Sequence, residues 1–271
     1  MLLSLLLAPL LGYAPQSGWF PTQPPPVVTS ARFLPWCEAY VQASIDSVPL
    51  ERAQTYYFSD QGNDTTGNGS LTNPFKSIAK ANQVITASGG NVRIRFAKGG
   101  VWRGETNLVV TKPDVTIDSY LPSDRGPSSP KPLFTRFQVV EDWSDWSFVA
   151  PGVYATQVEP PVAWVKLQGD NDSVFHKMST LDDVKLFPGS WVQIGSQLYV
   201  HNLGSQTLTT GARRIEYVVK NSFDGIKCLD VGNVRVQGIH VEGYGAGAKG
   251  DYSYSGYGVA LDQSGPRRAV V

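Results

Sequence analysis

Three residues toward the C-terminal end have the types needed for proton transfer. In GIHVEGYG, His240 and Glu242 alternate with Ile239 and Val241. If the apolar pair faces a core, the polar pair stands on the outer face of a strand, because successive side chains point to opposite sides. A carboxylate there can act as a general acid or base, and an imidazole can take up or pass on a proton. Asp262 offers a second carboxylate, with Asp251 as another source. The competing reading for each is a solvated outward residue, which every second strand position requires.

A second group lies earlier. In NVRIRFAKGG, Val92, Ile94 and Phe96 point one way while Arg93 and Arg95 point the other. A guanidinium there can hold a carboxylate in a two-pronged fork; the alternative is solvent exposure or packing under a segment inserted later in the chain. Trp102, in GGVWRGE, is a third candidate for contact with a ligand. Asp60, Asn63 and Asp64, with Asn68 beyond them, space oxygen donors along one loop in a way that would suit Ca²⁺. The loop lacks the EF-hand pattern. Turn chemistry, in which Asx side chains bond their own backbone, is the preferred account of it. His176 and His201 have no partner at ligand spacing. Cys37 and Cys228 stand too far apart to make a disulfide framework or a zinc site and read as small buried apolar residues.

These groups need a scaffold, and composition narrows its kind. The chain has 271 residues, with 23 Lys+Arg against 23 Asp+Glu. A net charge of zero argues against a general nucleic-acid binder, which needs a basic face. Gly at 27 and Pro at 19 imply frequent turns, and 11% aromatics exclude a disordered chain. The opening MLLSLLLAPLLG is too short to span a bilayer and resembles the apolar core of a secretory signal, here 1–14. That predicts a secreted protein, extracellular or periplasmic, with no membrane span. Residues 15–54 read as a Pro-rich linker followed by a short helix at 35–48.

A strand is expected at 55–59, then a helix over 74–87 with Asn73 as its cap, Pro74 at its first position and Gly89-Gly90 at its end. After that helix the apolar period changes from 3.6 to 2. Ile94 and Ile117 stand 23 residues apart; so do Val236 and Val259, while Ile215 and Ile239 are 24 apart. Strands recurring at such a period mark a solenoid whose coils bury their inner faces. The helix before the first coil is placed to cap it. About a hundred residues break the period. They are dense in Trp, and SWVQIGSQLYVHNL reads as a hairpin turning at Gly195-Ser196. The expected class is all-β: a right-handed parallel β-helix, with N-terminal cap and first coils at 55–133, a small antiparallel insertion at 134–210, and further coils at 211–271 that end early.

YYFSDQGNDTTGNGSLTNPFKSIAKANQVI resembles the N-terminal signature of secreted right-handed parallel β-helix proteins of the pectate-lyase-like superfamily. The shared elements are a strand, the loop Gly62-Asn63-Asp64, and Pro74-Phe75-Lys76-Ser77-Ile78. VRIRFAKGGVWRGE is similar to the following strand and turn, PGSWVQIGSQLYV to a small β insertion of some β-helix glycoside hydrolases, and GNVRVQGIHVEGYG to a coil. The resemblance covers about 55–262 and implies polysaccharide as the partner. It implies a hydrolase acting through paired carboxylates or a lyase acting on uronates, with Glu242, Asp262 and His240 as catalytic candidates and Arg93, Arg95 and Trp102 as substrate contacts. The chain stops where such proteins continue, so a fragment without the catalytic coils is also expected. A non-catalytic carbohydrate-binding or structural surface module is the alternative. The two diverge on whether Glu242, Asp262 and His240 share one face.

Overall fold

The structure, a computed structural model, describes residues 51–104, 106–140, 142–167, 174–203, 214–220, 224–244, 259–262 and 269–270. The expected signal segment, residues 15–50 of the expected linker with its short helix, Cys37 and Asp251 lie outside them, while residues 51–54 are described and Gln54 opens the first strand. The described residues are mostly strand.

The N-terminal part holds β1 (Gln54–Phe58), helix α1 (Ile78–Ser88), β2 (Val92–Ala97), β3 (Val101–Arg103), β4 (Leu108–Val110), β5 (Val115–Tyr120) and β6 (Leu133–Thr135). The middle holds β7 (Gln138–Val139), β8 (Ser147–Ala150), β9 (Val153–Gln157), β10 (Val162–Leu167), β11 (His176–Lys177), helix α2 (Leu181–Leu186), β12 (Ser190–Ile194), β13 (Gln197–His201) and β14 (Ile215–Val219). The C-terminal part adds β15 (Ile226–Leu229), β16 (Val234–Val236), β17 (His240–Glu242), β18 (Val259–Asp262) and β19 (Ala269–Val270).

Outside the middle part every strand pairing is parallel. The first sheet has the order β1-β2-β5-β16-β19, the second β3-β6-β17 and the third β4-β15-β18. From β2 onward the chain visits them in a fixed cycle of first, second, third, and each circuit adds one strand beside the last. Ile94 and Ile117 are direct register partners. The other two expected offsets are not pairings. Val236 lies beside Ile117, and Val259 lies beside Ile226 in the third sheet. Ile215 runs antiparallel to Leu167. The turns between sheets differ in length, so equal spacing in sequence does not ensure equal position in the circuit.

A short device sets up three strands of the first sheet. Asn91, Asp114 and Asn233 immediately precede β2, β5 and β16, with φ of 55°, 58° and 56°. Asn and Asp are the side-chain-bearing residues that best tolerate this left-handed backbone. They also bond along the stack. The Asn233 amide donates to Asp114 Oδ1 at 3.1 Å, and Asn91 Oδ1 accepts from the Ala53 N–H at 3.3 Å.

The parallel sheets enclose one core. Phe96 packs on Phe58, Trp102 and Phe134 with centroids 5.2, 5.0 and 4.7 Å apart. Ile78, Ala81 and Ile85 of α1 are buried in the same core. The helix starts later than expected. Ser77 is its cap, accepting from the Lys80 N–H, and Gly89 ends it at φ 75°. Phe75 instead lies extended beside β1: its N–H donates to the Tyr57 carbonyl at 3.0 Å, and its own carbonyl accepts from Ser59 N at 2.8 Å. Pairing with a strand edge overrides the helical preference of a Pro-Phe start.

The middle strands form a five-stranded sheet, β11-β12-β13-β9-β8, and a three-stranded sheet, β10-β14-β7. All their pairings are antiparallel except β11 with β12. They share a second core built on Trp191, Leu198, Val165, Leu167 and Ile215. The hairpin expected at Gly195-Ser196 joins β12 to β13 there, with Gly195 at φ 61°. Antiparallel structure runs from β7 to β14, while β6 belongs to the second parallel sheet.

Candidate functional site

The second parallel sheet presents two cross-strand rows of side chains outward. Val101, Leu133 and His240 are register partners in one row; Arg103, Thr135 and Glu242 are partners in the next. The first row is open, with His240 exposed and Val101 41% exposed. The second row is covered by the face of the three-stranded antiparallel sheet that carries Lys166 and Glu216, which are themselves register partners.

Four charges meet there. Lys166 Nζ lies 2.8 Å from Glu242 Oε2 and 3.3 Å from Glu216 Oε2. Arg103 pairs with Glu216 Oε1 at 2.9 Å and also donates to the Phe137 carbonyl. Thr135 Oγ1 donates to Glu242 Oε1 at 3.1 Å. The ammonium of Lys166 sits 4.3 Å above the Phe137 ring. Glu216 is the buried member, and Glu242 is half-buried and reaches the edge of the cluster. Two cations and two anions leave the cluster neutral, which suits its low exposure. The lysine clamp fixes the rotamer of Glu242 beside the open row.

His240 and Glu242 therefore share the outward face of one strand, as their alternation with Ile239 and Val241 predicts; Ile239 and Val241 pack against the core. Asp262 is the register partner of Leu229 in the third sheet. The backbone thus places it on a different sheet from His240 and Glu242.

The candidate substrate contacts are placed otherwise. Arg93 is buried, 6% exposed, because the Glu51-Arg52 segment lies over the outer face of the first sheet. Its guanidinium bonds Asp118 at 3.2 and 2.5 Å and also pairs with Glu51. Burial lowers the Arg93 pKa, but the bonds and charges of Asp118 and Glu51 outweigh this and hold it above the ordinary value. Arg95 bonds the same Asp118 at 3.2 Å and the Ser119 carbonyl at 3.1 Å. Both arginines are held by groups of this chain. Trp102 is 1% exposed, with its Nε1–H donating to the Lys76 carbonyl at 2.7 Å. Its ring occupies space that a side chain at Gly100 would fill; a Cβ there would meet the ring at 2.8 Å. No face of Trp102 is left for a ligand.

The acidic loop serves its own turns. Asp60 pairs with Arg125 at 2.5 Å. Asn63 Oδ1 accepts from the amides of Thr65 and Thr66 at 2.8 and 2.9 Å. Asp64 Oδ1 accepts from the amides of Lys76 and Ser77 at 2.7 and 3.1 Å. Burial raises the Asp64 pKa, but the Ser77 hydroxyl and these two amides together hold the carboxyl below its usual range. Among the described residues no group of three or more His, Cys, Asp or Glu is placed to hold a metal ion. Cys228 is buried in the parallel-sheet core, where loss of solvation pushes its thiol up to about 11.

Lys166, Glu216, Arg103 and Thr135 escape a sequence reading that looks for outward polar pairs. The available signal is a charge inside an apolar strand: Lys166 in VAWVKL and Glu216 in IEYVV. Such a residue is rarely buried without a partner.

No family model and no curated protein matches the chain. Among solved structures it is similar to a glycoside hydrolase at 12% identity, covering 71% of this chain and 51% of that one, with a TM-score of 0.46. It is also similar to the GH136 lacto-N-biosidase from Eubacterium ramulus. The native protein matches at 14% identity over 78% of this chain and 23% of that one, with a TM-score of 0.32. The selenomethionine derivative matches at 15% over 85% and 27%, with a TM-score of 0.36. The chain spans about half or less of the length of these structures.

Proposed function

We propose that this is a secreted carbohydrate-active protein, that its three parallel sheets are the faces of a right-handed parallel β-helix, and that it hydrolyses glycosidic bonds at the outward face of the second sheet. The antiparallel strands from β7 to β14 are then a unit inserted into the solenoid, and α1 is its N-terminal cap. The observation that carries the functional reading is one juxtaposition. Glu242 is clamped by Lys166 and Thr135 at the border between a covered row and an open one, and His240 stands exposed two residues away on the same face.

The chemistry follows from the pairing. An ion-paired carboxylate serves as a base toward water, or steadies positive charge developing on a sugar ring. An exposed imidazole can give a proton to the departing glycosidic oxygen. In that division the water proton passes to Glu242, the water oxygen bonds the anomeric carbon, and the bond to the leaving oxygen breaks as His240 protonates it. Glu216 is a positioning residue that holds Lys166. Its Oε2 and that of Glu242 are held by the one Lys166 nitrogen. Elimination from a uronate is supported less well, because Arg93, Arg95, Arg103 and Lys166 all neutralise carboxylates of the chain itself.

A second reading, a carbohydrate-binding module without turnover, is favoured by the placement of Asp262 on a different sheet from Glu242 and His240 and by the neutral pairing of the four-charge cluster. Release of reducing ends from xylan, β-glucan and polygalacturonate separates the two. The hydrolase reading expects turnover that Glu242→Gln abolishes while the variant still binds. Binding without turnover in the wild type selects the module, and the absence of both defeats either reading.

A further inference from the structure

The face of β10 that carries Lys166 also carries Trp164. A bulge lies between Val162 and Trp164, upstream of the pair, so alternation is regular from Trp164 onward and the two side chains project together. Their register partners agree. Lys166 lies opposite Glu216, and Trp164 lies opposite Val218, which is buried against Phe137. Lys166 is the residue that bonds Glu242. Trp164 is therefore one strand step, about 6.6 Å along the backbone, from the clamp on the candidate catalytic carboxylate.

Its exposure differs from that of the other tryptophans among the residues whose side chains are described. Trp102, Trp146 and Trp191 are all buried, whereas Trp164 is 48% exposed. Exposed apolar groups that lie next to one another and are rimmed by polar ones mark binding surfaces. Val174, bridged to Lys166, is 45% exposed and extends the same apolar rim. A flat aromatic face next to charged hydrogen-bonding groups fits a ligand with an apolar C–H face and hydroxyl edges, and a pyranose ring has both.

We propose that Trp164 is the stacking platform for the sugar ring bound next to Glu242, which deepens the glycan reading above and rests on it. The ring lies on the indole, and its glycosidic oxygen is thereby held over the row of Glu242 and His240. Covering one face of an indole, about 55 Å² of apolar surface, is worth about tenfold in affinity.

The test is calorimetric titration of the full chain with xylohexaose, cellohexaose and hexagalacturonate. For a hexamer that the wild type binds, Trp164→Leu weakens affinity about tenfold, while Trp164→Tyr, which keeps a stackable ring, stays within about threefold. Equal affinity of Trp164→Leu and wild type overturns the platform and leaves the glycan reading standing; binding of none of the hexamers overturns both. The wild-type chain supplies a measurement that needs no variant. Oxidation of Trp164 by N-bromosuccinimide, mapped by peptide mass, is slowed when the bound hexamer saturates the protein, and an unchanged rate in the saturated complex overturns the platform.

Discussion

Lys166→Met tests whether the four-charge cluster ties the antiparallel strands to the second parallel sheet. Methionine keeps the length of the side chain and its packing over Phe137 but removes the ammonium that bonds Glu242 at 2.8 Å and Glu216 at 3.3 Å. Leaving a buried charge wholly unpaired costs about 3–5 kcal/mol. Here each carboxylate keeps one partner. Glu216, with its side chain 5% exposed, retains Arg103 at 2.9 Å, and Glu242 retains the Thr135 hydroxyl. The expected loss is therefore below that range, about 2 kcal/mol. With a slope of about 2 kcal/mol per molar urea, the unfolding midpoint falls by about 1 M. Adding Glu216→Gln separates pairing from packing. The double variant is less destabilised than the two single losses together, by about 1 kcal/mol, because one cation and one anion leave at once. A midpoint within about 0.2 M of wild type, or strict additivity in the cycle, refutes the claim that this lysine bridges the two carboxylates.

Three further outcomes follow from the same geometry. Trp102→Ala costs about 3–5 kcal/mol by thermal unfolding, since the ring is enclosed against Phe96 and Phe134; a loss under about 1 kcal/mol contradicts the burial. Asp64 has a folded pKa below its unfolded one, so its contribution is present above about pH 4 and fades as the pH falls through the folded value. The gap in Tm between wild type and Asp64→Asn accordingly narrows from pH 7 to pH 3, and a constant gap would show that the carboxylate charge plays no part. Cys228, pushed up to about 11 and buried, resists iodoacetamide at pH 8 until urea unfolds the chain, as peptide mapping reads; alkylation in the native protein contradicts its placement.

What the sequence made legible was local. Alternation identified β2, β5 and β17 and assigned Ile94 and Ile117 to one register, because a strand with one buried face must alternate. The Gly195-Ser196 hairpin was legible because a two-residue turn needs a residue that accepts positive φ. The start of α1 was not, since Phe75 pairs with β1 and its fate depends on a strand edge far back in the chain. Periodicity also misplaced Val259, which lies beside Ile226 rather than Val236, because turn lengths vary from one circuit to the next. The outward placement of His240 and Glu242 could be read from four residues. Their surroundings could not: Glu242 meets a lysine 76 positions away, and Arg103 meets Glu216 across 113. Those encounters are created when the antiparallel sheet docks on the second parallel sheet. The same docking logic applies to Arg93, whose burial depends on Glu51 and Arg52 lying over the first sheet.

Where a sugar lies on this chain decides between these readings. A crystal of the full chain carrying Glu242→Gln, soaked with the hexasaccharide that binds it, reads this without any assumption about rate. A ring is expected on the outward face of the second sheet, within hydrogen-bond reach of residue 242 and His240 and overhung by β10. A sugar bound on another face of the parallel sheets, or on the antiparallel strands with the row of His240 and Glu242 left bare, contradicts that expectation.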